Sequence, residues 1–129
     1  MARPVVADTD VLIDYQVGEG AAGTVRRLVT AGRLRIPAIA YYELLRGATD
    51  QASRETIRRL LHGAPMLALT RQDVESAAGL WRQLTPHQRD MLGDRDILIA
   101  GAALARGWPL LTRNRQHFAA TAVQLHAEG

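Results

Sequence analysis

Arg3-Pro4-Val5-Val6-Ala7-Asp8-Thr9-Asp10 decides the fold class. A short apolar run stops at a carboxylate, which is how a strand buried on both faces reads in sequence. Val11-Leu12-Ile13 follow at once and read as a short helix capped by Asp10. A buried strand that hands over directly to a helix is the first half of a βαβ unit. In sheets built that way, ligand sites lie beyond the carboxyl ends of the strands, and Asp8 stands at that end.

Working outward, the same alternation continues. Ala22, Val25, Leu28 and Val29 recur at helical spacing, and Gly32 ends that helix. Leu34-Arg35-Ile36 before Pro37 reads as a second strand. A helix with Tyr41, Leu44, Leu45 and Ala48 on one face stops near Gly47. Ile57, Leu60 and Leu61 mark another, ended by Gly63 and Pro65, and Met66 to Leu69 reads as a third strand. Thr70 and Asp73 form a capping box for a helix with Val74, Ala77, Ala78 and Trp81 inward, closed by Pro86. Asp94 to Arg106 is a helix with Ile97, Ala100, Gly101 and Leu104 inward. Leu110-Leu111-Thr112 is a strand, and Val123-Gln124-Leu125 a last, weaker one. Strands and helices in alternation define an α/β chain, a single domain over residues 1–129 with a central, mostly parallel sheet covered by helices on both faces.

Composition narrows the chemistry. The 129 residues are 47% apolar and contain no cysteine, which excludes disulfides, thiolate metal sites and cysteine nucleophiles. The first apolar run is too short for a signal peptide, and no stretch approaches the roughly 18 apolar residues of a membrane span. A soluble, cytoplasmic protein is expected. All 16 basic residues are arginine, with a net charge of +3. The arginine fork suits phosphate oxygens, although a GC-rich coding sequence accounts for much of such a bias. Without lysine, no Schiff base and no lysine phosphate clamp can operate.

Of the 13 carboxylates, three do not fit a solvated helix face. Asp8 ends a buried strand, and an unpaired buried carboxylate costs several kcal/mol unless a cation or backbone donors accompany it. Capping the next helix is the competing role, for which Asp10 is better placed. Glu43 interrupts Ile39-Ala40-Tyr41-Tyr42-Glu43-Leu44-Leu45, off the apolar stripe and beside Ala40 and Gly47. A plain surface glutamate is the competing reading there. Asp96 opens an apolar helix of small residues, which lets it press on the sheet and aims Asp96 at the strand ends. Capping accounts for Asp94 or Asp96 and leaves the other over. Hard oxygen ligands without cysteine or paired histidines point to Mg²⁺ or Mn²⁺.

These residues resemble the PIN-domain proteins of the VapC type, the toxin half of bacterial and archaeal toxin–antitoxin pairs. The resemblance runs from about Pro4 to Phe118. It rests on Val5-Val6-Ala7-Asp8-Thr9-Asp10, on Pro37-Ala38-Ile39-Ala40-Tyr41-Tyr42-Glu43-Leu44-Leu45-Arg46-Gly47, on Asp96-Ile97-Leu98-Ile99-Ala100, and on Leu110-Leu111-Thr112-Arg113-Asn114 followed by His117-Phe118. It implies an α/β/α sandwich of about five strands and a Mg²⁺- or Mn²⁺-dependent endoribonuclease. It further implies structured RNA such as tRNA or rRNA as substrate, arrest of translation, a cognate VapB-like antitoxin and a homodimer. Asp8, Glu43 and Asp96 match the family's first three acidic positions and are the expected catalytic and metal-binding residues.

The fourth acidic position is absent from Thr112-Arg113-Asn114-Arg115-Gln116-His117-Phe118. Asn114 and Thr112 offer neutral oxygens there, Thr9 a further hydroxyl, and Asp94 or Asp10 is available to supply charge. Arg95, Arg113 and Arg115 are candidate contacts to RNA phosphates. His117 beside Phe118 reads as a packed or surface histidine rather than a proton shuttle.

Three rival readings stand lower. Asp8-Thr9-Asp10 also opens haloacid-dehalogenase-type phosphohydrolases, which ordinarily need a lysine. Gly18-Glu19-Gly20-Ala21-Ala22-Gly23 spells a dinucleotide fingerprint with no separate strand to feed it. A catalytically weak PIN module that binds RNA or a protein partner is the third.

Overall fold

The structure is a computed structural model that describes residues 2–127. Its elements run β1 (Val5–Ala7), α1 (Thr9–Val17), α2 (Ala22–Thr30), β2 (Leu34–Pro37), α3 (Ala38–Gly47), α4 (Gln51–Gly63), β3 (Met66–Leu67), α5 (Arg71–Gln83), α6 (Pro86–Met91), α7 (Asp94–Arg106), β4 (Leu110–Leu111) and α8 (Arg115–Phe118). The four strands form one sheet in the order β3-β2-β1-β4, parallel throughout. Val5, Val6 and Ala7 are all fully buried. Successive side chains of a strand point to opposite faces, so both faces of β1 are covered. The chain winds from β1 one way to β2 and β3, and β4 returns to the other side of β1. The switch point therefore falls at the carboxyl ends of β1 and β4, where such sheets open a crevice. No helix among the described residues is long and apolar enough to cross a membrane.

Several expectations are corrected. The fifth strand is reduced to a single bridge: Leu125 is the one residue of that segment that pairs, with Leu110 of β4, whose N–H donates to the Gln124 carbonyl at 2.8 Å. Of Val123-Gln124-Leu125 only Val123 is buried, too little apolar surface to extend a ladder. β3 stops at Leu67, because Leu69 is already turned to solvent. Pro86 does not close a helix but opens α6, at the first helical position where its missing N–H costs nothing. Thr85 caps that helix and Gln88 reaches back to the Thr85 N–H at 2.8 Å.

The largest correction concerns α5. Its inward residues are Asp73, Ala77 and Leu80, whereas Val74 and Trp81 are 46% and 44% exposed and Ala78 is also exposed. The stripe is rotated because α7 presents Gly101 to it. A Cβ at Gly101 would lie 2.7 Å from the Ala77 Cβ and from the Asp73 carbonyl oxygen. Only a small-residue face fits so close an approach. Asp73 can turn inward because Arg106 meets it at 2.7 Å. Trp81 instead lies under the Arg89 guanidinium, 3.9 Å from its ring centre.

Candidate functional site

The switch point gathers side chains from four elements. Asp8 is the residue between β1 and α1, extended in backbone and 2% exposed. Its Oδ1 accepts the Thr9 N–H at 2.8 Å, so Asp8 and not Asp10 caps α1. Its Oδ2 accepts the Thr112 hydroxyl at 2.7 Å from just beyond β4. Thr112 Oγ1 in turn accepts the Asn114 N–H at 3.0 Å, which leaves its own proton for Asp8 alone. Thr112 and Asn114 thus act as a brace on Asp8.

Glu43 comes from the middle of α3. The Thr9 hydroxyl donates to its Oε1 at 2.8 Å, and Arg95 Nε lies 3.5 Å from its Oε2. Asp96 sits in the first turn of α7 and reaches back to the Gly93 N–H at 3.2 Å. Asp10 lies in the first turn of α1, where its Oδ2 accepts the Arg113 N–H at 3.1 Å. Its Oδ1 is buried without a hydrogen-bond partner among the described residues.

The electrostatics tie these four acids together. Burial, and then the neighbouring charge of Asp10, push the Asp8 carboxyl up from 3.8 to about 7; Asp96 adds to the push, and the Thr112 and Thr9 hydrogen bonds oppose it. Asp10 is raised by burial, against the Arg113 N–H and guanidinium. Asp96 is raised by burial, with the Gly93 N–H opposing and the charge of Glu43 adding. Asp8, Asp10, Glu43 and Asp96 therefore share one under-compensated negative field.

The donor set fits a hard divalent cation: it is all oxygen, it is partly desolvated, and one buried oxygen has no partner. Among the described residues, no group of three or more His, Cys, Asp or Glu is arranged to hold an ion directly. The cluster accordingly suits an ion that keeps part of its water shell, as Mg²⁺ does.

The remaining expected residues divide. Asp94, exposed in the first turn of α7, lines a groove between α5 and α7 with Val74 and Trp81. Arg95 stands over Glu43, and Arg113 lies 3.8 Å from Asp10 and 3.3 Å from Asp14. Arg115 donates to the His126 carbonyl at 2.6 Å and so ties down the C-terminal segment. His117 stands against His87, ring centres 6.5 Å apart, and not against the acids. Gly18 and Gly20 both take positive φ in the turn between α1 and α2, with no strand leading into them. Sequence reasoning undervalued Asp10 and missed buried Asp14, which accepts the Ala21 N–H at 3.0 Å. Their spacing of four along one helix was the available signal, since it puts both on the same face toward Arg113.

Comparison with known proteins supports one family. The profile of the PIN domain matches residues 5–124. A VapC ribonuclease of Mycobacterium bovis is 30% identical over 115 residues, 85% of this chain and 86% of that protein. Ribonuclease VapC1 of Methanocaldococcus jannaschii is 29% identical over 115 residues, 88% of this chain and 78% of that protein. Among solved structures, a chain of VapBC2 from Rickettsia felis, bound to a promoter DNA fragment, superimposes with a TM-score of 0.76 at 18% identity, over 95% of this chain and 96% of that one. At that identity the likeness shows the fold.

Proposed function

Since this chain belongs to the PIN-domain family, we propose that it is a divalent-metal-dependent endoribonuclease of the VapC toxin type. The observation that carries this reading is Asp8: a buried carboxylate facing Asp10 and Asp96 with, among the described residues, no cationic side chain on either of its oxygens. Evolutionarily unrewarded, such an arrangement is costly, and a bound cation removes the cost. Asp8, Glu43 and Asp96 would hold the ion, with Asp10 filling the place of the missing fourth acid. A Mg²⁺ or Mn²⁺ bound there would supply the charge that draws in a scissile phosphate and the acidity that an attacking water needs.

The chain's own groups do the rest. Thr112 fixes the Asp8 carboxylate and Thr9 fixes Glu43, so neither must be ordered when RNA arrives. Arg95 and Arg113, half-exposed at the rim, would turn from Glu43 and Asp10 to phosphates flanking the cut. Structured RNA such as tRNA or rRNA is the proposed substrate, arrest of translation the outcome, and a VapB-like antitoxin the proposed restraint. The proposed homodimer has a candidate face in the apolar groove between α5 and α7. A second reading, an RNA-binding module without turnover, draws support from the arginines that already pair with Glu43 and Asp10.

One experiment separates the two. Purified protein and an Asp8→Asn variant are incubated with a tRNA and rRNA pool in Mg²⁺, Mn²⁺ or EDTA. Discrete fragments are expected with metal only, and the variant should be slower by about 10³-fold, several kcal/mol of lost transition-state stabilisation. RNA that is bound but uncut under every condition would establish the binding module instead.

A further inference from the structure

Resting on the ribonuclease reading, we infer that the cleft beside Glu43 holds one base of the RNA next to the cut and reads its edge. This cleft lies between α1, α3 and α4 and has a volume of about 480 Å³, within the roughly 300–1,000 Å³ of small-molecule sites. Glu43 forms part of its wall, so whatever fills it lies against the carboxylate cluster. Ile13 and Ile57 give it apolar surfaces from two different helices. Bases removed from a stack settle between aromatic or apolar side chains. Ile13 is 44% exposed, a large aliphatic side chain left uncovered beside a polar site.

The rest of the lining points to a base rather than to a phosphate. Among the described residues, no arginine lines the cleft, so it has no positive charge to offer the backbone, and its one charged group, Glu43, would repel a phosphate. It presents instead the Gln16 amide and the Thr49 hydroxyl, both exposed and neither with a hydrogen-bond partner among the described residues. An amide sets a donor beside an acceptor, the pair that matches a base edge. Sequence-selective RNA recognition works on such splayed, unstacked bases. Gly47 lies one turn from Glu43 on the same face of α3 and leaves the cleft open. A Cβ there meets nothing within 4 Å, and its φ is not in the left-handed region. A larger residue at 47 would enter the cleft without strain.

The test uses short single-stranded RNAs of randomised sequence, cut in Mn²⁺ and mapped, and bound in EDTA without cutting. The wild type should favour one base at one position flanking the cut. Gln16→Ala should lower that preference by about tenfold, the worth of one good amide-to-base pairing. Gly47→Leu should raise KM on the pool by about tenfold, while its unfolding midpoint stays at or above wild type, since leucine favours a helix more than glycine does. Base preference unchanged in both variants would overturn the assignment and leave the cleft to a peptide. If the wild type cuts nothing, the ribonuclease reading has failed and binding decides the cleft. A base preference in EDTA that Gln16→Ala abolishes upholds it, and equal binding of every sequence overturns it.

Discussion

Asp8 and Asp73 are buried to the same depth, 2% and 1% exposed, yet they sit in opposite kinds of surroundings. Asp73 is answered on every side. Arg106 meets it at 2.7 Å, and Thr70 exchanges with it both bonds of a capping box. Asp8 has two hydrogen bonds and, beyond them, more acids. Burial by itself therefore does not mark a functional carboxylate. What marks it is burial without a counter-charge, which folding would not retain unless something outside the chain completes it. The α5–α7 contact is closed by its own ion pair, whereas completion of the strand ends by a cation is what the proposed function requires.

That contrast can be broken by mutation. Arg106→Met leaves Asp73 buried and unpaired, and should lower unfolding free energy by about 3–5 kcal/mol, measured by urea denaturation. RNA cleavage per folded molecule should be unaffected, because the pair lies outside the carboxylate cluster. Loss of cleavage in molecules that remain folded would show that the two regions are coupled.

Acid titration sharpens the same contrast. The Asp8 carboxyl sits at about 7 in the fold against an ordinary 3.8. The folded protein therefore keeps a proton that the unfolded chain releases, and stability from this group is fullest below 3.8 and lost as pH rises through about 7. Metal-free protein should lose stability over that window by up to about 1.4 kcal/mol per pH unit. Asp8→Asn should flatten the dependence, and Mg²⁺ or Mn²⁺ at pH 8 should raise the melting temperature of the wild type alone. A wild type and variant with parallel pH profiles would remove the basis for a strained Asp8.

The smallest expected effect belongs to the stable region. Gly101→Ala should cost about 1–3 kcal/mol by overpacking, since the new Cβ meets backbone of α5 that cannot turn aside. A neutral result would mean that the α5–α7 contact is looser than its geometry.

Legibility followed locality. Val5-Val6-Ala7-Asp8 announced a buried strand ending in an acid, and the structure has both. Thr70 and Asp73 announced a capping box, which is present, since a cap depends on residues three apart. The inward face of α5 was not legible. Val74 and Trp81 are more apolar than Asp73, and only the distant Arg106 and Gly101 decide which side turns in. Likewise Asp8, Glu43 and Asp96 could be singled out one at a time, with Thr112, Asp10 and Asp94 only as candidate helpers; that Thr112 donates to Asp8 and that Asp10 bears on it electrostatically depends on the fold.

The amino-acid sequence thus determined the parallel α/β architecture, the absence of lysine and cysteine chemistry, and the acids worth suspecting, because each follows from composition or from neighbours along the chain. Tertiary structure alone decided which of those acids share one field. Glu43 and Asp96 lie on α3 and α7, and Asp8 and Thr112 directly follow β1 and β4. Their electrostatic coupling depends on distance through a desolvated interior, a quantity that exists only once the sheet has folded.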